Sequence, residues 1–356
     1  MKKIFLLFSA SFFLMACPKE TIDPPIYEKY GKGLYILTEN GVNFYDFNEG
    51  VLKEDIYSTV NGNYLQNPSS LNSYSNKMYI VTQNTFYKVD AETFLSEFSI
   101  GGFTDAQQCE NAYFNRFYVT DKGESEIKII DLISRDISGH VSTGDSVFPT
   151  DIVVNGSRAF IINSGGDDFL DYDSTIVAID VKNGSEPLNN FAGNIITGKN
   201  PVSICKPDFQ NIFVVCKGLF DQNNPSNNIN SSIYEVEPGN FNIISISELN
   251  NIYNADNLIS NYNDTRFYIT SSSGVYWLSS SNFSSHLVTN EKNPSVLLVN
   301  VEQYADTDTT TTSSEMLYMN NNVNGDEYIY KYNIQLNKFV DSIMLKSPII
   351  DLEVYK

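Results

Sequence analysis

Histidine is almost absent from this chain, since His140 and His286 are the only two among 356 residues. Histidine is a usual ligand of catalytic zinc and the usual base that activates a serine or cysteine nucleophile. The repeat described below assigns both to outermost strands, far from each other and from a shared site. Gly-rich phosphate loops and nucleophile-elbow motifs are also missing. We therefore predict that the chain is not an enzyme and uses no metal and no cofactor. A glycosidase, which needs only paired Asp or Glu, is the less favoured catalytic alternative.

Basic side chains are scarce as well. Lys and Arg number 23 against 43 Asp and Glu, which gives a formal net charge of −20. Nucleic acids and anionic lipid headgroups are bound mainly through Lys and Arg. The composition therefore predicts that nucleic acid is not a partner and that any membrane attachment comes from a lipid anchor only.

Cysteine occurs four times, at Cys17, Cys109, Cys205 and Cys216. Because Cys17 lies in the N-terminal leader region, an odd number remains for the folded part, and an odd number cannot form a full disulfide framework. Buried free thiols are the favoured interpretation. A bridge between Cys205 and Cys216, on neighbouring strands, is the alternative.

The first residues are typical of a bacterial lipoprotein signal. Lys2 and Lys3 precede an apolar run, 4–13, that is too short to span a bilayer, and residues 14–17 (LMAC) match a lipobox. We predict cleavage before Cys17, acylation of Cys17 and a proline-containing tether. The predicted segments are a signal peptide (1–16), the tether (17–30) and one folded domain (31–356). The protein is then expected to be lipid-anchored at the outer membrane, facing the cell exterior.

A five-residue pattern, apolar–x–x–apolar–polar, recurs seven times in the rest of the chain, at intervals of 41 to 57 residues. Its last positions are Asp46, Asp90, Asp131, Asp180, Glu237, Ser279 and Asn333. This spacing is typical of propeller blades with insertions. We expect four short strands per unit, A to D from the axis outward, with the pattern on strand C. β-branched and aromatic residues favour strands throughout, and good helix signals are absent.

The two ends of the repeat complement each other. The chain enters at a strand B, which begins at Leu34, and finishes on a lone strand A from Pro348 to Tyr355. That lone strand is the missing inner strand of the first blade, and its pairing would close the ring and remove an exposed edge. The sequence therefore predicts an all-β fold, a single seven-bladed β-propeller of four-stranded blades.

Several segments resemble the repeat of YVTN-type (YncE-like) β-propellers: 148–152 (FPTDI), 160–163 (FIIN), 176–180 (IVAID), 79–82 (YIVT) and 118–121 (YVTD). With a lipidated Cys shortly before the first strand, the chain also resembles surface lipoproteins of Bacteroidetes. One branch of those captures cobalamin and hands it to a TonB-dependent outer-membrane transporter. The resemblance implies the propeller fold, and it makes a cobalamin-like ligand and a transporter partner expectations by analogy.

Two long loops join strands B and C in consecutive blades, residues 164–174 and 217–232, and should lie side by side on one face. The connections from strand D to the next strand A share that face. Aromatic rings among carboxylates and amides suit stacking on a planar or sugar-like ligand. The predicted ligand-binding residues are Phe148, Asp168, Phe169, Asp171, Tyr172, Phe220, Asp221, Tyr253 and Asn254.

The first of these loops is also acidic, with Asp167, Asp168, Asp171 and Asp173. Ca²⁺ prefers several carboxylate and carbonyl oxygens, although this spacing is not that of an EF-hand loop. A solvated acidic loop is the favoured interpretation, and a Ca²⁺ site is the alternative.

These features favour an envelope lipoprotein that captures a small molecule or glycan for an outer-membrane uptake system. The main alternative is a protein-interaction scaffold in an envelope, secretion or adhesion complex, because propellers often serve this role without a small-molecule pocket.

Overall fold

The computed structural model describes residues 29–144, 147–165, 172–183, 186–207, 211–290, 294–305 and 311–356. These residues form seven four-stranded antiparallel sheets arranged around a common axis. The predicted all-β fold, a seven-bladed β-propeller, is confirmed. The predicted N-terminal signal, Cys17 and most of the predicted tether lie outside the described residues.

The 28 strands described are numbered in chain order, and within each blade they are given from the innermost, A, to the outermost, D. Blade 1 contains β28 (Ile349–Tyr355), β1 (Gly33–Thr38), β2 (Gly41–Asp46) and β3 (Val51–Lys53). Blade 2 contains β4 (Pro68–Tyr74), β5 (Lys77–Thr82), β6 (Thr85–Asp90) and β7 (Ser96–Gly101). Blade 3 contains β8 (Ala106–Tyr113), β9 (Arg116–Asp121), β10 (Glu126–Asp131) and β11 (Asp136–Ser142). Blade 4 contains β12 (Pro149–Asn155), β13 (Arg158–Gly165), β14 (Tyr172–Asn183) and β15 (Glu186–Ile196).

The remaining three blades follow the same plan. Blade 5 contains β16 (Pro201–Cys205), β17 (Ile212–Cys216), β18 (Ser232–Val236) and β19 (Ile243–Glu248). Blade 6 contains β20 (Asp256–Ser260), β21 (Arg266–Ser271), β22 (Gly274–Ser279) and β23 (Ser285–Thr289). Blade 7 contains β24 (Leu297–Ala305), β25 (Thr311–Val323), β26 (Asp326–Asn333) and β27 (Lys338–Leu345).

Strand B of a blade is buried on both faces, because each sheet packs between two neighbouring blades. All residues of β1 and of β17 are buried, which explains apolar runs such as Phe213-Val214-Val215. Seven clusters of buried side chains fill the seven junctions between adjacent blades in the described part of the chain. The core is therefore divided among the blade junctions, and strand B contributes to the junction on either side of it.

The acidic or polar residue that ends the repeated pattern closes the turn between strands C and D. Asp131 Oδ1 accepts hydrogen bonds from the backbone N–H groups of Ile133 and Ser134, at 2.8 and 3.2 Å. Arg135 then takes the left-handed conformation (φ 59°), and its N–H donates to the Asp131 carbonyl at 2.8 Å. Asp90 makes the same arrangement with Phe94 (φ 57°). The polar residue of the repeat is therefore the side-chain acceptor that the N–H groups of this turn require.

The ring closes as the sequence predicts. Strand β28 pairs antiparallel with β1, with Leu352 opposite Ile36 and Val354 opposite Leu34. Each innermost strand also contacts the innermost strands of the two neighbouring blades. Pairing β28 with β1 removes the edge that blade 1 would otherwise expose toward the axis.

One helix was missed. A short α-helix, α1 (Ile56–Asn61), connects blade 1 to blade 2, and Asp55 precedes it as the N-cap, accepting a hydrogen bond from the Ser58 N–H. Gly62 ends it in the left-handed conformation. Its length, under two turns, is too short for a helical hydrophobic pattern to be visible. No helix in the described residues is long and apolar enough to cross a membrane.

The three described cysteines are free thiols. Cys109 and Cys216 are buried and Cys205 is half-buried, so the favoured interpretation is confirmed and the Cys205–Cys216 bridge is not formed. Burial raises the pKa of all three thiols, and that of Cys216 to about 11.

Candidate binding face and axial channel

We call the side of the ring that carries the B–C loops and the D–A connections the B–C face, and the opposite side the A–B face. The predicted ligand-binding residues that the structure describes lie in or beside the B–C loops and D–A connections of this face. They lie at three successive blade junctions, around blades 4, 5 and 6. Asp168, Phe169 and Asp171 lie outside the described residues.

Phe220 and Tyr253 come together on the B–C face. Phe220 lies in the B–C loop of blade 5, Tyr253 lies in the connection to blade 6, and their ring centroids are 5.2 Å apart at an angle of 35°. Both side chains are half-buried. The neighbouring loop is held by a bridge between Leu219 and Ile229 and by Asp221, whose Oδ1 accepts from the N–H groups of Asn223 and Asn224 at 2.9 and 3.0 Å. These backbone hydrogen bonds lower the pKa of Asp221, which serves to fold its own loop.

Tyr172 and Phe148 each lie beside a lysine. The Lys199 Nζ lies 4.3 Å from the centroid of the Tyr172 ring and donates a hydrogen bond to its hydroxyl. The Lys122 Nζ lies 5.9 Å from the centroid of the Phe148 ring. A lysine over an aromatic face is attracted by the ring quadrupole. Two of the predicted aromatic residues on this face therefore have a positively charged neighbour, although the protein as a whole is acidic.

Asn254 and Phe148 occupy left-handed backbone positions, both with φ 53°, where the chain turns from strand D into the next strand A. The Phe148 carbonyl accepts hydrogen bonds from the N–H and hydroxyl of Ser164, at 3.1 and 3.0 Å. A left-handed phenylalanine is strained and is kept only where the surroundings fix it. These contacts hold the D–A connection of blade 4 against its B–C loop.

The Ca²⁺ alternative rests mainly on Asp167, Asp168 and Asp171, which lie outside the described residues. Asp173, which is described, accepts hydrogen bonds from Ser174 N–H and the Thr175 hydroxyl, at 2.5 and 2.6 Å. In the part of the chain that the structure describes, no group of three His, Cys, Asp or Glu side chains could hold a metal ion.

Acidic residues on the innermost strands were not among the predicted site residues. Asp151 on β12 accepts a hydrogen bond from the N–H of Ile204 at 3.1 Å, and Asp351 on β28 accepts one from Leu71 at 2.9 Å. In both cases the donor is on the innermost strand of the next blade. Such edge-strand N–H groups have no further strand to pair with and require an acceptor. The carboxylates thus tie neighbouring blades together around the channel.

Burial along the channel changes the ionisation of these groups. It raises the pKa of Asp151 to about 7, that of Asp351 to about 6 and that of Glu353 to about 7. Glu353 also accepts a hydrogen bond from the Ser73 N–H at 3.1 Å. Because their side chains remain partly exposed to the channel, these carboxyls can exchange protons with solvent near neutral pH.

Two further channel carboxylates have cationic partners. Glu110 lies 3.4 Å from the Lys206 Nζ, and Asp256 lies 3.7 Å from the Lys217 Nζ. Burial raises the pKa of both carboxyls against the opposing effect of the lysines. For Asp151 and Asp351 the available sequence signal was an acidic residue two or three positions after the proline that opens strand A, Pro149 or Pro348; no proline opens the strands that carry Glu110 and Asp256.

The two histidines lie where the repeat predicted. His140 is on β11 and His286 is on β23, both outermost strands. The His286 ring stacks on Trp277, with centroids 4.0 Å apart.

No protein-family model matches the sequence, and none of the curated proteins does. Solved structures do match the fold. A quinoprotein alcohol dehydrogenase-like protein from Bacteroides thetaiotaomicron has a TM-score of 0.65 and 16% identity, over 92% of this chain and 79% of that one. A protein from Lactobacillus plantarum has a TM-score of 0.62 and 11% identity, over 92% of this chain and 100% of that one. Hydrazine synthase from Kuenenia stuttgartiensis has a TM-score of 0.56 and 14% identity, over 75% and 77%.

These matches correct one prediction. The prediction that the chain is not an enzyme is contradicted, because structures that share its fold include an enzyme, hydrazine synthase, and an alcohol dehydrogenase-like protein. The fold is therefore shared with enzymes and is no ground for excluding catalysis. At 16% identity or less the likeness shows the fold alone and brings no particular activity to this chain.

Proposed function

We propose that this protein is a lipid-anchored envelope protein that captures a small-molecule or glycan ligand on its B–C face. The observation that carries the proposal is the contact between Phe220 and Tyr253, two aromatic residues from different loops. Tyr172 with Lys199 adds a third aromatic residue and a charged donor at the preceding blade junction. Half-exposed rings beside polar groups suit a ligand with a flat or apolar face and a polar edge.

The test is ligand-dependent stabilisation. Thermal unfolding is measured against cobalamins, glycans, haem and Ca²⁺, and a ligand at 100 times its dissociation constant should stabilise the folded state by roughly 2.7 kcal/mol. Phe220→Ala and Tyr253→Ala should each weaken binding of the hit by tenfold or more. Phe114→Ala is the matched control, because Phe114 is 71% exposed and lies on the A–B face.

Two results would count against this site. Equal affinity in wild type and in both variants would move binding away from Phe220 and Tyr253. No stabilisation by any compound, together with one stoichiometric protein partner in a pull-down, would favour a scaffold in an envelope complex.

The anchor and the partner belong to the same proposal. The sequence around Cys17 supports lipidation and outer-membrane anchoring, and a TonB-dependent transporter is the proposed recipient of the ligand. Cys17→Ala should abolish incorporation of labelled palmitate and release the protein from membranes. Protease treatment of intact cells should degrade the wild-type protein; protection, while known surface proteins are cut, would contradict an outward-facing anchor.

A further inference from the structure

A cavity of about 500 Å³ opens on the A–B face, where blade 7 meets blade 1. Two aromatic residues, Phe47 and Tyr355, and the apolar Val301 are among the residues that line it. Asn300 and Glu302 contribute polar groups. The volume and the mixture of apolar wall with few polar groups are typical of small-molecule sites. None of the predicted ligand-binding residues lies here.

Asn300 carries an unsatisfied acceptor at this cavity. The residue is on the innermost strand β24 and is only 4% exposed. Its Nδ2 donates to Glu302 Oε1 at 3.3 Å, which fixes the orientation of the amide. Its Oδ1 is buried and accepts no hydrogen bond in the described structure. A buried carbonyl oxygen without a protein donor is uncommon. Because Asn300 lines the cavity, the donor that its oxygen lacks can come from a molecule bound there.

Glu302 adds a second acceptor on the same side of the strand, because residues two apart in a strand share a face. Its carboxylate is already paired with Lys331 and accepts from the Tyr318 hydroxyl, so its charge is compensated. The pair of acceptors therefore selects a ligand that offers O–H or N–H donors, and an added positive charge is not required.

A smaller cavity of about 260 Å³ shares Asn300 and Val301 with the first. At its wall, Tyr262 is 74% exposed in the A–B turn of blade 6. The two cavities share Asn300 and Val301, and we call them together the groove. Phe47 and Tyr355 line the first cavity, and Tyr262 lines the second. Aromatic rings cover the apolar faces of sugar rings, while hydroxyls supply the donors that the acceptors need.

We propose that this groove on the A–B face binds a short oligosaccharide, with Asn300 Oδ1 and Glu302 accepting sugar hydroxyls. The site is separate from Phe220 and Tyr253 and does not depend on the function proposed for them. Lys32 at the rim is exposed, so acidic sugars fall within the class as well as neutral ones.

The full chain is titrated calorimetrically with maltotriose, cellotriose, chitotriose and trigalacturonic acid. We expect one of them to bind, and Asn300→Val and Tyr262→Ala each to weaken that binding at least tenfold. Asn300→Val removes an unpaired buried acceptor together with one long hydrogen bond to Glu302, which keeps Lys331 and Tyr318 as partners. Its melting temperature should therefore stay close to that of the wild type. Loss of binding without loss of stability is a result that a purely structural role of Asn300 does not produce.

Two controls separate this proposal from the other. Phe114→Ala, an exposed aromatic at the equivalent turn of blade 3, and Tyr253→Ala, on the opposite face, should bind the sugar normally. Failure of all four sugars to bind overturns the proposal. Binding that survives both Asn300→Val and Tyr262→Ala overturns it too, and if Tyr253→Ala alone abolishes binding, the sugar belongs to the B–C face.

Discussion

Asp351, on the last strand, accepts a hydrogen bond at 2.9 Å from the backbone N–H of Leu71, 280 residues earlier in the chain. Asp151 repeats this relationship with Ile204 between blades 4 and 5, at 3.1 Å. In each case a side chain does across a blade junction what strand pairing does within a blade, because it supplies an acceptor to an edge-strand N–H. The last strand therefore closes the ring twice, by pairing with β1 and through the Asp351 carboxylate on blade 2, whereas Asp151 joins blades 4 and 5.

Replacing Asp351 tests the second closure. Asp351→Leu leaves the Leu71 N–H without an acceptor, and we expect the free energy of unfolding to fall by about 1–3 kcal/mol. Asp351→Asn keeps an oxygen in place and should cost less than half as much. Urea denaturation measures both. Asp136→Leu, at an exposed position on β11, should stay within about 0.5 kcal/mol of wild type; an equal loss there would show that the junction hydrogen bond is not the cause.

The channel carboxyls predict an unusual dependence of stability on pH. The pKa of Asp151 is raised by burial to about 7 from a normal value of 3.8, so the folded protein binds this proton more tightly than the unfolded chain does. Its contribution is therefore fully present below pH 4 and is lost as the pH rises through 7. Asp151→Asn cannot ionise, so its stability relative to wild type should improve by roughly 1 kcal/mol or more from pH 5 to pH 8. A difference that is constant over this range would refute the raised pKa.

Lys128 makes the most buried ion pair of the described residues. Its Nζ lies 2.8 Å from Asp121 Oδ2, and the two side chains are 7% and 0% exposed. Lys128→Met leaves the Asp121 charge buried without its cation, and we expect a loss of about 3 kcal/mol. Lys346→Met breaks an ion pair with Glu54 of nearly the same length, 2.7 Å, but the two side chains are 74% and 46% exposed. The loss of stability should therefore be under about 1 kcal/mol. Chemical denaturation of the two variants decides, and equal losses would mean that burial does not govern the value of these pairs.

The thiols should be unreactive in the folded protein. Burial raises the pKa of Cys109, Cys205 and Cys216, so little thiolate is present at pH 8. Ellman's reagent should find none of the three in native protein and all three after denaturation. Rapid reaction of one thiol in the native state would contradict its burial; Cys205, the most exposed of them, is the sensitive case.

The propeller could be predicted because its repeat is imposed by local requirements. A strand B packed on both faces must be apolar along its length, as in Phe213-Val214-Val215, and the C–D turn needs an acceptor such as Asp131. Because the blades repeat these two requirements, apolar strands and turn acceptors recur at regular intervals in the sequence. The ring closure followed because Pro348 to Tyr355 had no other partner.

The site residues were harder to predict because their roles depend on neighbours distant in sequence. Phe220 and Tyr253 were named from their loops, and the structure does bring their rings together. Nothing near Asn300 in sequence shows that its amide oxygen lacks a donor, since this follows from Glu302 holding the other side of the amide at a cavity formed by blades 7 and 1. Asp151 likewise gains its role only from Ile204, which lies 53 residues later on another blade.

The order of strands in blade 1 affects how the protein folds during its synthesis. Its innermost strand, β28, is made last, so throughout synthesis β1 has an open edge and the six other blades surround an incomplete channel. Long-range pairing of this kind is slow, and unpaired edges are where other chains attach. The nascent protein is therefore most prone to self-association before residue 355 has been synthesised. Conditions that lengthen that interval should raise the yield of strand-exchanged oligomers.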